Sequence, residues 1–198
     1  VSNFTVFVQQ HVLGHLWSRG YRVSSQKWEV AAAAFTHLEH VLDLATRGSL
    51  PPPLPAGEAA AAAKHPPGYL IMHDLLGGGP AYAALLHILS PGYASLTALQ
   101  SQSDEVGPRE EAVLAGLRVV NAALRLDVPF VEHLARMNVN NRYQPLHQKL
   151  ISTGGVRQIA VLLQYVCYPD SAEIQVEAIR LALELSQRLP NLVEMLAG

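Results

Sequence analysis

Two pairs of histidines carry the clearest opportunity for chemistry in this sequence. His11 and His15 are four residues apart and His37 and His40 are three apart, so each pair shares one face of a helix, the spacing at which two imidazoles can hold a metal ion. A catalytic zinc centre needs a third ligand and usually a carboxylate base, and the HExxH arrangement is absent. Glu39 lies between His37 and His40 but points to another side of the turn. Histidines at a solvent edge are the plainer expectation, and a metal-dependent hydrolase built on the pairs is the least favoured reading.

The other candidates weaken in the same way. Gly77, Gly78 and Gly79 follow no strand and precede Pro80 rather than Lys and Ser or Thr, so the phosphate-loop pattern fails and helix punctuation explains them. Gly154 and Gly155, after Ser152 and Thr153, can bind an anion at a helix start, yet a simple cap by Thr153 accounts for them. Cys167 is the single cysteine, which excludes an internal disulfide and a thiolate cluster; at the end of an apolar helix it is expected as a buried, unreactive thiol. No serine sits in a GxSxG elbow. Tyr21, Arg22, Lys27, Trp28 and Glu29 resemble an aromatic and basic recognition cluster, but a tryptophan on a helical stripe belongs more often to the core. No catalytic, cofactor-binding or metal-ligating residue is assigned, no small-molecule substrate is implied, and the partner-binding residues are left open.

The elements that must position these groups read as helices throughout. Hydrophobic residues make up 49% of the 198 residues and charged ones 15%, against about a quarter charged in an ordinary soluble domain. Stacked helical repeats produce this imbalance, because surfaces that belong inside a longer core are counted as outside. The formal net charge of −2, with Lys and Arg dispersed, lacks the basic footprint of nucleic-acid binding. No contiguous apolar run approaches the roughly 20 residues of a membrane-spanning helix, so no direct membrane insertion is expected. A chain that begins at Val1 rather than Met and remains helical towards Gly198 reads as an internal segment of a longer superhelix.

Ser25 is placed to cap a helix in which Glu29 meets the N-terminal dipole and Trp28, Ala31, Phe35, Leu38, Leu42 and Ala45 form one stripe. Residues 47–65, with Pro51, Pro52, Pro53, Pro55 and the alanines 59–63, are predicted to form a flexible surface loop. Pro66 and Pro67 suit the first turn of a helix bearing Tyr69, Leu70, Leu75 and Leu76, which the glycine triplet ends. Pro80 begins the next helix, with Tyr82, Leu85, Leu86 and Leu89, and so short a connection implies an antiparallel hairpin. Pro108 is predicted to open a helix striped by Val113, Leu117, Val120 and Leu124, and Pro129 to kink or restart it. Asn138, Asn140 and Asn141 mark a turn, Pro145 starts a short helix, and Thr153 caps another bearing Val156, Ile159, Leu163 and Val166.

The helix from Ser171 to Arg188 is the most informative. Ile174, Ala178, Leu181 and Leu185 form one apolar face and Val176, Ile179 and Leu183 a second, separated by a charged edge of Glu173, Glu177, Arg180, Glu184 and Arg188. Such a helix is expected to be sandwiched between neighbours. The implied fold class is all-α: residues 1–198 as one segment of an α-solenoid of HEAT- and armadillo-like antiparallel helix pairs, stacked with right-handed superhelical sense. A globular helical bundle is the structural alternative.

The run Ser18-Arg19-Gly20-Tyr21-Arg22, then Lys27-Trp28-Glu29-Val30-Ala31, resembles a segment of the large inner-ring scaffold nucleoporins, the nucleoporin two-oh-five and one-ninety-two type. Pro66-Pro67-Gly68-Tyr69, followed by Met72, His73, Leu75 and Leu76, is similar to that family's helix start. The spacing of Val113, Leu117, Asn121 and Leu124, the stretch 142–150, and the pair of helices around Tyr165 and Ile174 are similar too. The Lys-Trp-Glu-Val and Pro-Pro-Gly-Tyr pieces are the specific ones; the Pro/Ala-rich loop and the glycine triplet depart from the family. The resemblance implies a non-enzymatic scaffold of the nuclear pore complex at the nuclear envelope, supporting nucleocytoplasmic transport of protein and mRNA. It also implies binding to nucleoporins of the ninety-three, ninety-eight and thirty-five types, with no contact assigned to a residue. A karyopherin-like transport receptor or a coat scaffold uses the same helical physics for different partners.

Overall fold

The computed structural model describes residues 2–47, 67–98, 103–136 and 143–197, and among them there is no strand. The chain opens with α1 (Ser2–Phe7), which runs into a π-helical stretch, Val8–Val12, and a 3₁₀ turn, Leu13–His15. Then come α2 (Gln26–Arg47), α3 (Pro67–Gly77), α4 (Pro80–Leu89), the short α5 (Ala94–Thr97), α6 (Ser103–Arg136), α7 (Leu146–Gln164), a 3₁₀ turn (Tyr165–Cys167), α8 (Ala172–Arg188) and α9 (Leu192–Ala197). The predicted 47–65 loop, apart from Arg47 at the end of α2, and the asparagine turn at 138–141 lie outside the described residues.

α6 is the axis of the fold. It touches α2, α3, α4, α5, α7 and α8, and its stripe Val113, Leu117, Val120 and Leu124 is fully buried. Against it lies the stripe of α2, with Trp28, Ala31, Phe35, Leu38 and Leu42 buried as the three- and four-residue spacing requires. Pro108 behaves differently from expectation. α6 begins at Ser103, five residues before Pro108, with Asp104 and Glu105 in its first turn complementing the dipole. At Pro129 the helix does not restart but runs on to Arg136: Phe130 is buried against Tyr69 and His73, at ring-centroid distances of 5.3 and 5.2 Å, and holds the last turns onto α3.

Further corrections concern α7. The helix is interrupted at Gly155, which has φ 65° and ψ −172°, a conformation open to glycine and strained for other residues. Thr153 does not cap the helical turns beyond Gly155; its Oγ1 donates to the Lys149 carbonyl at 2.8 Å and accepts from the Tyr82 hydroxyl at 3.1 Å. With the phase reset at Gly155, Ile159, Leu162 and Tyr165 turn inward, while Val156, Leu163 and Val166 are only half-buried. Cys167 is exposed, not buried, because it closes the 3₁₀ turn that Tyr165 and Tyr168 anchor from within. Within the segment Leu146–Cys167, 22 residues long, an 18-residue window reaches a mean hydropathy of 1.2, which by length and composition is enough to cross a membrane. Counting uninterrupted apolar runs misses it, because Lys149 and Arg157 divide it.

Candidate binding surface

Ser171 accepts a hydrogen bond from the Ile174 N–H at 3.3 Å and so caps α8, and Arg188 closes its last turn, where the dipole favours a cation. At 100° per residue the two apolar stripes fall on opposite sides of this helix. Ile174, Ala178, Leu181 and Leu185 are completely buried. Val176, Ile179 and Leu183, at 46, 46 and 58% exposure, stand open to solvent. The expected sandwich is therefore corrected: one side of α8 is packed and the other faces outward.

A polar belt fixes which side faces in. On α6, the Asn121 amide donates at 2.9 Å both to the Glu177 carbonyl and to Glu177 Oε2. Arg180 donates to Glu177 Oε1 at 2.6 Å, and Arg118 reaches Glu173 at 3.3 Å. Arg188 donates to the Leu124 carbonyl at 2.7 Å and pairs with Glu184. Glu177 is buried and Arg188 largely so, hence the predicted charged edge is in part an inward-facing seam. A helix tied at both ends to its neighbour cannot rotate its outer stripe out of view.

Asp127, fully buried on α6, anchors the same region. Its Oδ1 accepts from the Val128 N–H at 2.7 Å, its Oδ2 accepts from the Leu146 N–H at 2.9 Å, and Arg188 and His147 lie 3.8 and 3.5 Å from the carboxylate. One side chain thus occupies a backbone donor beside Pro129, caps the start of α7 and faces the end of α8. Burial raises its pKa, and Arg188, the two N–H donors and His147 oppose that rise. Neither Asp127 nor His147 stands out in the sequence, because, Val128 apart, their partners lie 19 or more positions away; Pro145 at the start of α7 is the one legible hint.

A second carboxylate does similar work at the α3–α4 turn. Gly78 has φ 77°, and the Gly79 N–H donates to the Asp74 carbonyl at 2.8 Å, which closes α3 in a Schellman motif. The Asp74 side chain then caps α4: Oδ1 accepts from the Ala81 and Tyr82 N–H groups at 3.0 and 3.3 Å. A Cβ on Gly79 would stand 2.6 Å from Oδ1, so only glycine admits the carboxylate here. Burial pushes the Asp74 pKa up to about 6 against the pull of those two donors.

The other candidate residues stay apart. His11 and His15 stack with ring centroids 6.4 Å apart on the irregular π-to-3₁₀ segment, and His37 is hydrogen-bonded to Thr5 Oγ1 at 3.2 Å, its pKa lowered by burial and by His40. Among the described residues no group of three or more metal-ligating side chains converges. Trp28 is buried, with Arg109 over its ring at 4.6 Å and Trp17 edge-on at 5.3 Å, and the Tyr21 hydroxyl donates to the Leu16 carbonyl. The Tyr21 to Glu29 cluster is thus divided between core and turn. Gly77 to Gly79 and Gly155 serve as helix punctuation. Phe4, Val6 and Phe7 of α1 are also exposed, and Phe4 packs edge-on to His37 at 4.9 Å. No protein-family model matches the chain, and no curated protein matches it.

Proposed function

We propose that this chain is a non-enzymatic segment of a helical-repeat scaffold, an α-solenoid of HEAT- and armadillo-like pairs with right-handed stacking, in the inner ring of the nuclear pore complex. The observation that carries the scaffold reading is the outward stripe of α8. Val176, Ile179 and Leu183 sit at the i, i+3, i+7 spacing that receives one further helix, and the belt of Asn121, Glu177, Arg118 and Arg188 holds that stripe in place before any partner arrives. Nuclear pore membership rests on the resemblance of Lys27-Trp28-Glu29-Val30 and Pro66-Pro67-Gly68-Tyr69 to the large inner-ring scaffold nucleoporins. The proposed occupant is an amphipathic helix from an adaptor nucleoporin of the ninety-three, ninety-eight or thirty-five type, with localisation at the nuclear envelope.

A few buried apolar anchors supply most of the affinity at such an interface. The test is calorimetry of the 198-residue chain against helical segments of the three adaptor types, alongside Ile179→Asp and Leu183→Asp variants. Binding to one adaptor that both variants abolish supports the reading. Silence from all three adaptors, or binding that both variants leave intact, removes this face from the role.

A further inference from the structure

Beside the α3–α4 turn lies a cavity of about 320 Å³, at the small end of ligand pockets and suited to one group of side-chain size. Val6, Leu70 and Pro80 give it apolar wall, Gln9 and Gln10 give it amides, and Asp74 contributes a carboxylate. We propose that this cavity binds a small organic cation, a guanidinium or primary ammonium group on an aliphatic stem, which donates a hydrogen bond to Asp74 Oδ2.

The case starts from an unsatisfied atom. Asp74 is 9% exposed, and while its Oδ1 takes two backbone donors, its Oδ2 is buried with no hydrogen-bond partner. No described Lys, Arg or His neutralises it. His73 on the same helix bonds the Tyr143 hydroxyl at 3.0 Å, and the Lys149 ammonium of α7 lies beside Gly78, 5.7 Å from the centre of the Tyr82 ring. From the π-helical side the facing groups are the neutral Gln9 and Gln10, and Gln9 Nε2 donates to the Leu70 carbonyl at 3.3 Å. A buried carboxylate with an idle oxygen and no counter-charge is costly in the ionised state, and a ligand recovers that cost only by bringing both a donor and positive charge. The aliphatic stem matches Val6, Leu70 and Pro80.

Oδ2 is closed to water, so entry requires movement at the cavity wall, which Gln9 and Gln10 help to form. These glutamines belong to Val8–Val12, the π-helical stretch, a winding that is rare and recurs at functional sites. Protonation of Asp74 competes with the cation, because its carboxyl titrates at about 6.

The experiment is amide NMR of the 198-residue chain titrated with n-propylguanidinium, with n-propylurea as the uncharged counterpart and a Gly-Arg-Gly peptide as a third arm. Saturable shifts at the Gly79, Ala81 and Tyr82 amides are expected with n-propylguanidinium near neutral pH, with affinity about tenfold weaker near pH 5 as Asp74 takes up its proton. The Asp74→Asn variant should lose them. Tighter binding of the peptide identifies a protein side chain as the source of the cation, and equal binding identifies a free small cation. Equal shifts with n-propylurea, an affinity indifferent to pH, or no saturable shift at millimolar ligand each overturn the proposal. These arms use the natural chain and decide the question even if Asp74→Asn fails to fold.

Discussion

The two sides of α8 carry the same kinds of residue and meet different fates. Ile174, Leu181 and Leu185 are sealed against the rest of the fold, while Val176, Ile179 and Leu183 stand in solvent half a turn away. Nothing in side-chain type separates the stripes; what separates them is the polar seam. Asn121 and Glu177 bond across one side only, and Arg188 reaches into α6 at the Leu124 carbonyl. Apolar burial is non-directional, so it can press α8 onto a neighbour through either stripe, whereas the hydrogen bonds accept one rotation.

The comparison breaks first at Asp127. Asp127→Ala leaves the Leu146 N–H uncapped and Arg188 without its buried carboxylate, and should cost about 3–5 kcal/mol in urea unfolding, the range for one partner removed from a buried pair. A loss under about 1 kcal/mol would show that the Asp127 carboxylate adds little to the seam made by Asn121, Glu177 and Arg188. Leu181→Ala on the covered stripe should cost about 2–5 kcal/mol. The same truncation at Leu183 should stay within about 0.5 kcal/mol in the absence of a partner. Similar losses at Leu181 and Leu183 would mean that both stripes are covered in solution, for instance by self-association, which sedimentation at two concentrations detects.

Acidification probes the other carboxylate. Asp74 has its pKa raised from an ordinary 3.8 to about 6, so between those values the native state holds more protons than the unfolded chain. Its contribution to unfolding free energy therefore rises as pH falls from about 7 to about 4 and is constant below, by about 3 kcal/mol at most. Burial moves Asp127 in the same direction. Urea midpoints across this pH range should show a gain that Asp74→Asn reduces; a slope unchanged by that variant would assign the gain to other groups. The smallest effect concerns Cys167. Being exposed, it should react stoichiometrically with a thiol reagent under native conditions, and protection until unfolding would restore the buried thiol expected from sequence.

Much of the helical framework is legible because local rules write it. The stripes of α2 and α6, the glycine stop after α3, the proline start of α4 and the Ser171 cap each depend on neighbours within a few positions. Two of the departures share a cause. Thr153 and Cys167 have familiar local roles that something distant overrides: Tyr82 on Thr153, and the inward pull of Tyr165 and Tyr168 on the turn that Cys167 closes. Pro108 instead yields to the acidic turn that precedes it. The candidate surface is half visible, since periodicity shows that α8 has two apolar stripes but not which one is covered.

Taken alone, the sequence determined that the chain is helical and where most helices carry their apolar faces, because a period of 3.6 and a cap need only nearby residues. The tertiary structure decided which stripe of α8 faces out and which carboxylates are buried. It also decided that Asp74 and Asp127 bond the starts of other helices. Those outcomes depend on pairings such as Asn121 with Glu177 and Asp127 with Leu146, whose members lie 56 and 19 positions apart and meet only once the core has closed.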